Sequence, residues 1–190
     1  MNVHLSVFVI VALMGIAPAA IASGSIELQN VFTSDGEYDP TVDALIGERF
    51  NGGSIGWSAF LLTCQGWSEA VVGPTWAPAS WLELWSGVGV ETDDDPFRFA
   101  GSVWMGDAAN SRSLLFVREE GGSGHWNKGI AKVRIGETAT TALGLGVHYQ
   151  TPYGIGPHLS FEGDLGQIWA SPLYDADEGP TVILGLVRSF

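Results

Sequence analysis

The sequence holds one cysteine, Cys64, and only two lysines, Lys128 and Lys132. A single thiol excludes an intrachain disulfide, so stability has to come from backbone pairing and burial. Few cations within a formal net charge of −13 exclude nucleic acid as a partner, because that binding rests on Lys and Arg neutralising phosphates. Beyond Ala22 no apolar run reaches the length of a membrane-crossing helix, which excludes helical insertion. The run from Leu5 to Ile16 is of signal-peptide length. Ala20-Ile21-Ala22 fits the small-x-small cleavage rule, although no Lys or Arg precedes it. Residues 1–22 are therefore expected to be an export leader and residues 23–190 a single domain.

What the chain does have is glycine, 26 residues of it, eight tryptophans, and a hydrophobic period of two. From Thr141 to Thr151, Leu143, Leu145, Val147 and Tyr149 alternate with Ala142, Gly144, Gly146, His148 and Gln150. Similar alternation runs through Trp81–Glu91, Phe97–Met105, Ile130–Glu137 and Gly156–Glu162. Weaker segments near 25–33, 42–50, 54–64, 67–75, 112–119, 166–173 and 180–190 bring the expected count to twelve strands; misreading two hairpins would leave ten or eight. Short connections such as Asn51-Gly52-Gly53 and Cys64-Gln65-Gly66 carry turn residues.

The acids crowd into alternate connections. Ser34–Asp43 holds Asp35, Glu37, Asp39 and Asp43, and Glu91–Pro96 holds Glu91, Asp93, Asp94 and Asp95. Glu119–Gly124 holds Glu119 and Glu120, and Asp175–Pro180 holds Asp175, Asp177 and Glu178. In an up-and-down barrel with an even strand number, these connections share the rim opposite the termini, which would be the outside.

The last segment places Val182, Leu184, Leu186 and Phe190 on one parity and ends on the aromatic. It resembles the C-terminal strand of small Gram-negative outer-membrane β-barrels. The resemblance spans residues 23–190 and rests on pattern. Arg188 departs from it, at a position where a snorkelling side chain is tolerated. Trp57, Trp67, Trp76, Trp81, Tyr149, Tyr153, Trp169 and Tyr174 fall near strand ends, as aromatic girdles require. The resemblance implies export to the outer membrane, contact with its lipid and lipopolysaccharide, and recognition of the final aromatic by the barrel-assembly machinery.

Parity assigns Glu83, Arg98, Lys132, Arg134, His148, His158 and Glu162 to the lumen, where charge can be hydrated or paired. Arg98, Lys132 and Arg134 are expected to give a partly basic lumen for a small polar or anionic solute. His148 and His158, equidistant from Tyr153, are expected to pair across a hairpin. With Glu162 they would form a metal set, but two ordinary lumen residues is the favoured reading. His158-Leu159-Ser160 resembles the His-x-Ser pair of outer-membrane lipid A deacylases, in which Ser is the nucleophile and His its base. Phe161 stands where that family has Asn, and Glu162 or Glu178 would have to be the acid. Asp93-Asp94-Asp95 and Asp35, Glu37 and Asp39 are oxygen-rich but lack the EF-hand pattern, which favours solvated loops over a calcium site. Trp81 and Trp85 share a parity and could stack a glycan, with packing the favoured role.

The expectation is thus an all-β antiparallel transmembrane barrel of about twelve strands, non-enzymatic, with no cofactor and no metal. It would act as a passive narrow channel or as a structural, surface-binding protein. The alternatives are a lipid-modifying hydrolase using His158 and Ser160, and a secreted soluble β-sandwich binding module.

Overall fold

A computed structural model describes residues 23–107 and 111–190. The expected leader, residues 1–22, lies outside the described residues. The strands are β1 (Ser23–Thr33), β2 (Tyr38–Arg49), β3 (Ile55–Cys64), β4 (Trp67–Ala79), β5 (Leu82–Glu91), β6 (Phe97–Gly106), β7 (Arg112–Gly121), β8 (Gly124–Glu137), β9 (Ala142–Gln150), β10 (Gly154–Gly163), β11 (Gly166–Asp175) and β12 (Gly179–Ser189). Each pairs antiparallel with its chain neighbours, and β1 pairs with β12, so a single sheet closes on itself. Closure leaves no edge strand. With one closed sheet there is no second sheet to pack against, and the β-sandwich reading does not hold.

Closure is completed by the chain end. Gly24 and Phe190 exchange backbone hydrogen bonds of 3.1 and 3.0 Å. Gly24 is small because the Phe190 ring lies over it: a Cβ there would come within 2.7 Å of the ring. Arg188 donates to the Leu165 carbonyl at 3.1 Å, at the same rim.

The two faces divide as the period of two requires. Val88, Phe99, Leu145, Val147, Leu159, Ile168 and Leu184 project outward and are exposed. The interior holds buried polar side chains together with Val31, Trp169, Leu173 and Ile183, which cluster. Outward aromatics form two bands. Phe32, Tyr38, Phe97, Tyr149 and Tyr174 lie toward the rim opposite the termini, and Trp76, Trp81, Phe161 and Phe190 toward the termini. Trp67, Tyr153 and Trp169, expected in these girdles, are lumen residues instead.

Several strands run further than the alternation suggests. β2 starts at Tyr38 and β8 at Gly124; the added part of β2 alternates Tyr38, Pro40 and Val42 outward with Asp39, Thr41 and Asp43 inward, and the added part of β8 is polar on its outer face. Asp39, Asp43, Glu91 and Glu119, assigned above to loops, consequently lie on strands and face inward. Asp43 pairs in register with Glu27 and Leu62, and Glu119 with Trp126. Asp35, Glu37, Asp93, Asp94, Asp95, Asp177 and Glu178 do occupy connections at the rim opposite the termini.

Candidate functional site: the lumen

One interaction partitions the lumen. Glu27 on β1 and Lys128 on β8 stand on walls separated by β9 to β12, yet Lys128 Nζ lies 3.2 Å from Glu27 Oε2. Both side chains are nearly buried. Trp169 on β11 completes the bridge: its Nε1 donates to Glu27 Oε1 at 2.7 Å, and Lys128 Nζ sits 5.6 Å from its ring centroid. The indole fits because its register partner is Gly185, where any Cβ would overlap the ring. Behind the bridge, His148 and His158 pack edge-on at 6.0 Å between ring centroids, each about as close to Trp169. This side of the interior is packed like a small polar core.

The second feature is one guanidinium among three carboxylates. Arg98 on β6 reaches Glu69 on β4 at 2.7 Å, Glu91 on β5 at 3.0 Å and Glu119 on β7 at 3.2 Å, all buried. Ser123 holds Glu91 through both its backbone N–H, 2.9 Å, and its hydroxyl, 2.5 Å. The Arg98 guanidinium carbon stacks 5.2 Å from the Trp67 ring centroid. A planar fork suits several carboxylates at once, as a point-charge ammonium would not.

The inward cations are therefore mostly paired. Arg49 meets Glu83 at 2.6 Å, and Arg134 meets Glu137 at 3.2 Å. Lys132 donates to Gln167 at 3.2 Å and, among the described residues, is the inward cation without a carboxylate within 4.0 Å. Glu27, Asp39, Asp43, Glu69, Glu83, Glu91, Glu119 and Glu162 outnumber the inward Arg49, Arg98, Lys128, Lys132 and Arg134. The positive potential expected of Arg98 and Arg134 is thus met by neighbouring carboxylates, and Lys132 alone of the three has no ion-pair partner among the described residues.

The histidines and the His-x-Ser pair have other roles. The β9–β10 turn centres on Pro152, since Gln150 opposes Gly154. His148 therefore opposes Gly156 and His158 opposes Gly146; the two rings are diagonal, not direct partners. No group of three metal-ligating side chains occurs among the described residues. His158 Nδ1 lies 3.0 Å from Ser171 Oγ, and both His158 and Ser160 are buried in the lumen. A lipid-hydrolysing pair would have to face the exterior. Trp81 and Trp85 do not share a face: Trp81 is exposed in the β4–β5 turn, whereas Trp85 points inward and donates to the Ser58 carbonyl at 3.3 Å. The turn breaks the parity.

At the rims, Asp35 accepts from the Thr33 hydroxyl and the Glu37 amide, and these bonds hold its carboxyl below the ordinary 3.8. Asp107 is lowered likewise by the Ser111 hydroxyl and amide.

The closed sheet, its twelve strands and its polar interior decide the comparison. The fold is that of porins. A KdgM porin matches with a TM-score of 0.52 at 14% identity, covering 87% of this chain and 99% of that one. A KdgM porin in complex with disordered oligogalacturonate matches at 0.55 and 16%, with the same coverages. A NanC porin matches at 0.50 and 10%, covering 86% and 98%. No family model matches the sequence, and no curated protein matches it.

Within this porin-like barrel, sequence parity alone did not reveal Glu27, Glu69, Lys128 and Trp169 as lumen residues. Glu69 carries the parity of Val71, Gly73 and Thr75 along β4. Extending that alternation upward would have found it.

Proposed function

We propose that the protein is an outer-membrane barrel of a Gram-negative bacterium that works as a passive, narrow channel for small hydrophilic solutes. The observation that carries this reading is the pairing of a closed wall, apolar outside and banded by aromatics, with a charged interior that opens through cavities at the rim opposite the termini. Closed barrels are the strand arrangement that satisfies every backbone group in hydrocarbon. Twelve strands leave more interior room than eight, whose side chains nearly fill the space. The Glu27–Lys128–Trp169 bridge crosses the lumen and narrows the bore. An oligogalacturonate, found in one porin of the same fold, is a polyanion. The excess of inward acid here argues against carrying that ligand over.

The test has two steps. Unboiled protein from outer-membrane fractions should migrate differently on SDS gels from boiled protein, and the folded barrel should give small, steady conductance steps in planar bilayers. A heat-shifted barrel with no steps would replace the channel with a structural role, and a protein found soluble in the periplasm would remove the membrane reading altogether.

A further inference from the structure

We infer that a groove on the outer wall, at the rim that carries the termini, seats a phospholipid whose headgroup combines a phosphate with a primary ammonium. The inference rests on the membrane-spanning reading of the barrel and adds a partner to it.

The groove is a hollow of about 760 Å³ on the outward face of β7, β8 and β9. Its shape follows from side-chain size. Met105, Leu114, Ala131 and Val147 stand in register across the wall, so the outward surface sinks at Ala131 between two branched neighbours. Gly129, the next outward residue of β8, continues the dip between Phe116 and Tyr149. Toward the termini, Leu145 flanks the hollow and Trp81 closes its end. In hydrocarbon such a dip is filled by an acyl tail, because an empty one forfeits dispersion contacts along its lining.

The mouth carries one charge of each sign. Arg112 opens β7 at the rim, Asp107 lies in the connection before it, and both line the groove. Among the rim's arginines, Arg49 and Arg134 lie 2.6 and 3.2 Å from a carboxylate, and Arg188 donates to a carbonyl. Arg112 comes no nearer to Asp107 than 3.7 Å, too far for a hydrogen bond, and its side chain is 80% exposed. Asp107 is oriented instead by the Ser111 amide at 2.7 Å and by the Ser111 hydroxyl. Each of its oxygens keeps a lone pair for a further donor. The guanidinium fork is thus available to a phosphate, and the carboxylate beside it to an ammonium.

That pair of charges selects the headgroup. A headgroup that is only anionic would set its charge against Asp107, and a quaternary ammonium has no N–H to donate there. Trp81, with its amphipathic ring, stands at the level where headgroups lie. The termini rim is periplasmic in such barrels, so the lipid belongs to the leaflet on that side.

The experiment is native mass spectrometry of the folded barrel, equilibrated in detergent with equal amounts of phosphatidylethanolamine, phosphatidylglycerol and phosphatidylcholine of identical acyl chains. Retention of phosphatidylethanolamine is expected, favoured at least roughly fivefold over either competitor, the scale of an exposed charge contact. Arg112→Gln should lower that retention roughly fivefold, and Asp107→Asn should erase the preference over phosphatidylglycerol. Ala131→Phe, which fills the hollow, should lower retention of all three lipids. Arg118→Gln, on the outward face of the same strand toward the opposite rim, should change nothing. Should Arg112→Gln or Asp107→Asn lose its heat-shift, the preference of the unaltered barrel and the Ala131→Phe variant carry the test. Equal retention of the three lipids, or full retention by Arg112→Gln or Ala131→Phe, would overturn the inference. So would a lipid-free dimer broken by Ala131→Phe, which would assign the groove to a second copy of the chain. A heat-shifted, conducting barrel without lipid preference would remove the site and leave the channel; lipid preference without conductance would do the reverse.

Discussion

Lys128 and Glu27 close a 3.2 Å contact between opposite walls of the barrel, with the Trp169 indole N–H holding the same carboxylate at 2.7 Å. Removing one member of a buried ion pair leaves the other charge uncompensated, at a cost of about 3–5 kcal/mol. Trp169 still donates to Glu27 in a Lys128→Ala variant, so the loss there should fall near 3 kcal/mol by the same reckoning. Because the pair crosses the lumen, conductance should rise. Urea unfolding and single-channel recording check both halves. A less stable barrel of unchanged conductance would place the constriction elsewhere.

Arg98 serves three carboxylates, so its loss is worse than that of any one partner. Arg98→Met should destabilise by at least about 3–5 kcal/mol, since three acids are left buried without their counter-ion. Glu91→Gln should cost less, because the Ser123 hydroxyl and amide still pair with the side chain that remains. Unfolding midpoints for the two variants, measured in the same vesicles, should fall in that order.

Much of this architecture is legible from period two, because the apolar belt forces alternation on every strand that crosses it. β9 is the clearest case, with Leu143, Leu145 and Val147 outward and Gly144, Gly146 and His148 inward. Above the belt the rule lapses. Arg118, Glu120 and His125 face outward there, opposite Glu119 and Trp126 on the inner face. With both faces polar, β8 from Gly124 to Gly129 looks like a loop. Asp43 and Glu91 adjoin acidic turns that mask them, although Val42 and Val90 keep the alternation; with Glu119 masked as well, the Arg98 cluster is hidden. Parity shows that a residue faces inward but not how far around the wall its partner stands. The Glu27–Lys128 contact, 101 residues apart in sequence, was beyond its reach.

The fit of Trp169 against Gly185 should be directional. Gly185→Val drives a branched side chain into the indole, and overpacking of this kind costs about 1–3 kcal/mol. Trp169→Ala alone removes the hydrogen bond to Glu27 and opens a void. Combining the two should cost less than the sum of the singles, because the clash and the void offset each other. A strictly additive double-mutant cycle would mean the two positions do not share space.

The β1–β2 turn should respond to acid. Asp35 is held below 3.8 in the folded turn by the Thr33 hydroxyl and the Glu37 amide. A depressed carboxyl contributes order at pH above its unfolded value and loses it as pH falls through the folded one. The turn should therefore stay ordered at pH 5 and loosen only below the ordinary aspartate range. Thr33→Val should move the Asp35 midpoint back up toward 3.8. Carbon-detected NMR titration of Asp35 in the two proteins measures that shift, and an unmoved midpoint would show that the hydroxyl contributes nothing.

Charge placed on the outer face should be penalised according to height. Leu145 sits mid-strand on β9 and is exposed, whereas Tyr149 is one residue from the strand's end. If the apolar belt lies in a bilayer, Leu145→Arg meets hydrocarbon and should cost about 2–4 kcal/mol, while Tyr149→Arg reaches the interface and should cost only about 0–1 kcal/mol. A barrel standing in water would show no such gradient, since both side chains would be equally hydrated. Equilibrium unfolding from lipid vesicles gives the two values. Similar penalties at both positions would contradict a membrane-spanning belt, whereas a gradient falling toward the rim would locate its upper boundary between residues 145 and 149.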